Sequence, residues 1–366
     1  MFARFVSIKT AFNPSSLRSS PPRSGSISTS IQSFKTIATK LSNRTMATSS
    51  KIHLTASQTP EFYVKGLTDE AAKTTSELLQ INHEKHHIFF NKSGFHNHIV
   101  HHLLTLFALN ASPAEIQKGY DDNASYQRPP VSLEQKVVDD MHNPERFKSY
   151  LGQEKYYHDF LVFFQDEFDK NGWENVLNEY VFKGDERADD LLVRMFAGFL
   201  HPIIHLGFGV EFQQPAIIAE ALAQACVHEN WIGALFYKCE EAARANSPDR
   251  RPAKSVVQLL DEIRLDEKLR GAAKWEDGNK IRDGILKRAP EEMVKYASQY
   301  VVHESELEER TAEMINATSK PFSLSTFCPL NVTLMAWSLL TCAYSLFCIP
   351  FPASPPNPQI RLLPHT

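Results

Sequence analysis

Two apolar stretches of this chain, NHIVHHLLTLFAL and FLHPIIHLGFGVEF, each carry histidines four residues apart: His98 with His102, and His201 with His205. Residues i and i+4 of a helix lie one above the other on the same face. Each stretch therefore predicts a mostly buried helix that presents two imidazoles side by side. Neutral imidazole is the commonest protein ligand for transition metals. Two such helices facing each other would bring His98, His102, His201 and His205 into one four-nitrogen metal site. The competing reading is two unrelated helices with core histidines.

The surrounding sequence is helical in the same way. Between residues 70 and 318 apolar side chains recur at helical spacing, with few alternating runs that would argue for strands. Leu78, Leu79 and Ile81 end one amphipathic segment, and Ile99, Leu103, Leu106 and Phe107 mark the next. Ser112-Pro113-Ala114-Glu115 has the form of a helix cap with proline at the first helical position. The expected architecture is all-α, a single large helical domain spanning about residues 60–317, with the metal site between helices. Pro202 bears two readings: a kink inside a longer helix, or a fresh helix beginning there with His201 near its cap.

The ends differ from the middle. Residues 1–50 contain no Asp or Glu and are rich in Ser, Thr and Arg. They read as a disordered or transit-like basic leader, and Met46 offers an alternative start. Residues 318–366 form a proline-rich tail, charged only at Lys320 and Arg361, expected to be an atypical end. Within it, residues 331–349 carry no charge and would be a tail anchor if they met a membrane. The working location is cytoplasmic, or mitochondrial if the leader is a transit peptide. A formal net charge of −4 argues against nucleic acid as a partner. Five cysteines with no CxxC pair suggest neither a disulfide framework nor a zinc ribbon.

Other side chains compete for a site role. Glu211, Glu220, Glu229 and Glu304 could orient a ligating histidine, which usually donates its second ring N–H to a carboxylate; each is also an ordinary solvated position. His83, His86, His87, His96 and His101 add local histidine density, but on an ideal helix His96 and His101 point away from the His98–His102 line. His158-Asp159, with His101 and Asp189, would serve an HD-type metal-dependent phosphohydrolase. A non-enzymatic truncated or tail-anchored helical protein is the third alternative. No GxGxxG follows a strand and no GxxxxGK[ST] occurs, so no flavin or nucleotide motif is present.

At FHNHIVHHLLTLFALNASPAEIQKGYDDNASYQRPP and FLHPIIHLGFGVEFQQPAIIAEALAQACVHE the chain resembles the questin oxidase-like family, fungal oxidoreductases of anthraquinone and aflatoxin pathways. The resemblance runs from about residue 60 to 317. It implies oxidative opening of a ring in a polycyclic aromatic, polyketide-like substrate with O2, by Baeyer–Villiger-type or dioxygenase chemistry. It also implies non-haem Fe(II) for part of the family and NADPH for some members. The ligand positions it carries over are His98, His102, His201 and His205. Family members look longer than the matching region, continuing past Glu308–Ala317 into further helices; the 49 residues that follow here do not match, so this chain would be inactive if that region completes the site.

Overall fold

In a computed structural model, residues 46–245 and 254–323 are described. The leader up to residue 45, the tail from 324 and the uncharged stretch at 331–349 lie outside them. The helices of eight residues or more are α1 (Asp69–Lys85), α2 (Ile99–Ala108), α3 (Pro113–Ala124), α4 (Tyr157–Asn171), α5 (Glu186–Arg194), α6 (Ala197–Glu211), α7 (Pro215–Val227), α8 (Gly233–Ala245), α9 (Val256–Leu265), α10 (Pro290–Ala297) and α11 (Leu307–Ser323). No strand occurs among the described residues; one isolated antiparallel bridge joins Phe89 to His96. The all-α class read from the apolar period is the class observed. Among the described residues no single helix is long and apolar enough to cross a membrane.

Among the described residues the helices group into two compact units, one of residues 46–176 with 194–229, the other of residues 177–193 with 230–245 and 254–323. The first contains the sequence's histidine-rich segments. Its α1, α2 and α3 pack on one another, α2 also meets α6, and α7 packs against both α6 and α4. Every residue from Ala216 to Val227 is buried. The sequence allows this because α7 is mostly alanine, isoleucine, leucine and valine, and because Gly209 lets α6 approach: a Cβ there would lie 2.8 Å from Ile218 Cγ1. Ile99, Leu103, Leu104 and Phe107 of α2 pack with Leu79 and Ile217 in the core of this unit. Removing each such side chain from water contributes roughly 1.5–3 kcal/mol.

The caps follow the sequence. Ser112 and Glu115 form a reciprocal capping box at α3 with Pro113 next to the cap, satisfying two N–H groups that a helix start leaves unpaired. The second unit is held by a smaller core in which Val256 and Leu259 of α9 meet Tyr300, Val302 and Ala317. Arg288 pairs with Asp277 there. Cys226, in the first unit, and Cys239, in the second, are buried. Burial pushes the Cys239 thiol up to about 12, which removes it from thiolate chemistry at neutral pH.

Candidate functional site

A tight turn delivers the first histidines. Asn97 N–H donates to the Ile88 carbonyl at 2.7 Å and Phe90 N–H to that of Phe95 at 2.8 Å. Asn97 then ties the turn to α1 through Asn82 Oδ1, 2.7 Å away, and its own Oδ1 accepts from Ile99 N–H. His96 is thereby buried, His98 becomes the residue that caps α2, and His101 stands one turn in.

The facing segment is unusual in its backbone. Gly198, Phe199 and Leu200 have φ of 54°, 56° and 71°, the left-handed region that side chains other than glycine rarely enter. The regular helix thus resumes at His201–Pro202, the second of the two readings that Pro202 allows. His201 Nδ1–H donates to the Gly198 carbonyl at 2.6 Å, which leaves Nε2 with its lone pair. That Nε2 lies 2.8 Å from His98 Nε2. The His201 ring stacks on His96, centroids 4.0 Å apart, and His96 Nε2 meets His228 Nε2 at 2.9 Å. Phe89 packs edge-on against both His96 and His228.

One turn along α6, His205 joins a second chain of contacts. His205 Nε2–H donates to Glu220 Oε2 at 2.7 Å, so His205 Nδ1 accepts from His101 Nε2–H at 3.2 Å. The other oxygen of Glu220 accepts from His83 Nδ1–H at 2.6 Å. His83 Nε2 in turn accepts from Gln165 Nε2–H at 3.0 Å. Phe208 stacks on the outer face of His101. Helices α1 and α6 therefore bind one buried carboxylate on α7 directly, and α2 and α4 reach it through His205 and His83.

The electrostatics favour neutral imidazoles around an anion. Burial alone would raise Glu220, but hydrogen bonds from His205 and His83 outweigh it and hold the carboxyl at about 2. Burial and neighbouring histidines keep His101 and His96 well below the usual imidazole range. Burial lowers His98 and His201 as well. His228 falls to about 4 through burial, then through the nearby His201 and Arg194. Imidazoles of this kind resist protonation and can bind a metal without first losing a proton.

Of the four residues named from spacing, the structure brings His98 and His201 into contact and places His205 beside them on Glu220. His102 turns instead toward α3, its Nδ1 3.2 Å from Asn123 Nδ2. The helical line from His98 to His102 assumed His98 was inside the helix. It is the cap, with φ −100° and ψ 2°, so the ideal rotation does not start there. Gly119 completes the change: with no Cβ, it leaves room for the His102 ring against α3. His101 and His96, expected to point away, belong to the cluster.

Among the acidic candidates, Glu220 is in the site, whereas Glu211 accepts from Glu61 N–H and Glu229 is exposed. The side chain of Glu304 lies outside the described residues. His158 donates to the Val131 carbonyl and Asp159 accepts from Glu134 N–H, so the HD dipeptide fastens residues 131–134 to α4. Spacing did not assign His228 to the site, nor His83, which it counted only toward local histidine density. The signal for His83 was present as the end of an amphipathic helix whose last turn is polar, but its partner on α7 is 137 positions away in sequence.

Among the described residues no three His, Cys, Asp or Glu side chains close around one point as metal ligands. The donor chemistry nevertheless suits a divalent transition metal. His201 and His205 each commit one ring N–H to a carbonyl or carboxylate and turn the other nitrogen inward, the arrangement that orients ligating histidines. The nitrogens stand as two facing pairs, His98 with His201 and His101 with His205.

The family model described as questin oxidase-like matches residues 95–325. Over 271 residues the chain is 42% identical to a Baeyer-Villiger monooxygenase of Cryptosporiopsis sp. (strain 8999), covering 73% of this chain and 60% of that protein. It is 42% identical over 249 residues to a Baeyer-Villiger oxidase of Pestalotiopsis fici, covering 68% and 55%. It is 38% identical over 277 residues to a questin oxidase of Aspergillus terreus, covering 75% and 61%. The chain thus spans between 55% and 61% of the length of these relatives.

Proposed function

Because this chain belongs to the questin oxidase-like family, we propose that it is an oxidoreductase that opens a ring of a planar, polycyclic phenol or quinone with O2. The balance for a Baeyer–Villiger outcome is simple. One oxygen atom enters between a ring carbonyl carbon and its neighbour, breaking that C–C bond and forming an ester. The second leaves as water, with two electrons and a proton from a hydride donor of the NADPH class and one proton from the medium.

The observation that carries this reading is the line of imidazoles from α2 and α6, His101 to His205, that ends on buried Glu220 inside the segment matched by the family model. His98, His101, His201 and His205 are the residues that would hold an iron(II) ion, which when bound supplies a route for O2 to react with a closed-shell aromatic. His205 is oriented by Glu220, and His201 by the Gly198 carbonyl. Phe208 and Phe89 keep water from the ring faces they cover.

A second role for the same side chains is favoured by the His101–His205–Glu220 line, in which a base is positioned by a third group. There His101 Nδ1 accepts a hydrogen bond from a substrate hydroxyl, making the ring more electron-rich toward O2. The deciding experiment is oxygen uptake with a trihydroxyanthraquinone, with and without NADPH, on the full chain purified anaerobically and assayed for iron. Iron near one per chain that is lost in His201→Ala together with oxygen uptake supports the metal role. Turnover by iron-free protein that is lost in His101→Phe supports the base role. No oxygen uptake under either condition overturns the oxidase reading.

A further inference from the structure

We propose that a cavity on the far side of Glu220 from His205 is a binding site for a planar aromatic ligand with hydroxyl donors on its edge. The cavity, about 380 Å3, lies beside α1 and α4, and its volume falls in the range of small-molecule sites. Its apolar surface comes from Tyr157, Leu161 and Pro130. The proposal deepens the reading above, from which it takes the phenolic nature of the ligand.

Hydrogen-bond accounting sets the polarity. His158 Nδ1–H is spent on the Val131 carbonyl, 2.9 Å away, so its Nε2 is an acceptor. His86 Nδ1 faces Asn82 Oδ1 at 3.3 Å, an oxygen fixed as acceptor by Asn97 Nδ2; its Nε2 therefore also accepts. Gln165 gives its amide N–H to His83, which leaves Oε1 as an acceptor. Glu84, already accepting from Gln80, adds a carboxylate to the same wall. Against these acceptors the lining sets the hydroxyls of Tyr157 and Ser50, which both donate and accept, so acceptors remain in surplus and the cavity selects a ligand that brings donors. A phenol does so; an ether of the same shape does not.

His83 belongs to this wall and donates to Glu220, whose other oxygen holds His205. A ligand in the cavity is thus one carboxylate from the histidine cluster.

The test is direct binding, read independently of turnover. The full chain is titrated with 2,6-dihydroxyanthraquinone and, separately, with its dimethyl ether, following the absorbance of the probe. The diol should bind about tenfold more tightly than the ether, the scale of one or two lost hydrogen bonds. His158→Phe and His86→Phe should each weaken the diol several-fold and leave the ether unchanged, while His98→Ala should change neither. His86→Phe keeps a ring against Tyr120, the stacking partner of His86, so it reports even if His158→Phe disturbs the Val131 contact and the fold. Equal binding of diol and ether, or unchanged diol binding in His86→Phe, overturns the proposal. Loss of binding in His98→Ala alone also overturns it, by placing the ligand at the histidine cluster. Oxygen uptake is scored separately, so a chain that binds as described but consumes no oxygen defeats only the oxidase reading.

Discussion

Gly198 lies so close to His228 that a Cβ built on it would fall 2.6 Å from the imidazole, and 2.7 Å from that of His96. Its carbonyl is also the group that fixes the His201 ring. Gly198→Ala should therefore displace the His96–His228 pair and strain a left-handed backbone at once. The expected result is a loss of about 1–3 kcal/mol of stability and at least tenfold lower activity. Urea unfolding and oxygen uptake on the same preparation check both.

Glu220→Gln keeps the shape of the side chain but not two acceptor oxygens. One of the two imidazole N–H groups then faces an amide N–H in a buried place, a penalty of about 1–3 kcal/mol. Activity should fall with it, because His205 loses its orientation. A variant as stable and as active as the parent would remove Glu220 from the site.

Acid should weaken the fold before carboxylates outside the core titrate. His87 is fully buried and is held at about 4 by burial and by Arg128. Unfolded, it titrates near 6.5. Between those values the unfolded chain binds more protons, so stability is complete above about pH 6.5 and falls as pH drops toward 4. Its share is on the order of a few kcal/mol. Thermal melts from pH 7 to pH 4 should slope downward, and His87→Asn, whose oxygen can replace the Nδ1 acceptor, should slope less.

Phe107 is wholly buried in the core of the first unit, whereas Phe95 is 60% exposed. Phe107→Ala should cost about 3–5 kcal/mol, and Phe95→Ala should stay within about 0.5 kcal/mol. Equal denaturant midpoints for the two variants would contradict the packing described here.

The helical class was readable because apolar period and caps are local, as Ser112 and Glu115 illustrate. The pairing of the α2 and α6 segments was readable because two apolar, histidine-bearing helices have few other ways to satisfy those rings. The rotation of α2 was not, since it depends on a turn at residues 88–97 that makes His98 a cap and on a glycine in a different helix. Nor was Glu220 separable from Glu211 or Glu229 by spacing. What distinguishes it is burial among histidines from distant segments, a property no local window contains.

Glu220 is the only charged residue on α7, and that helix has no outward face from Ala216 to Val227. Such a helix cannot be laid onto a finished surface as a last step. Its carboxylate has to enter the interior together with the imidazoles that hold it, so the order in which this unit assembles and the integrity of its site are one problem. Variants at His83 or His205 should therefore slow refolding as well as impair the reaction.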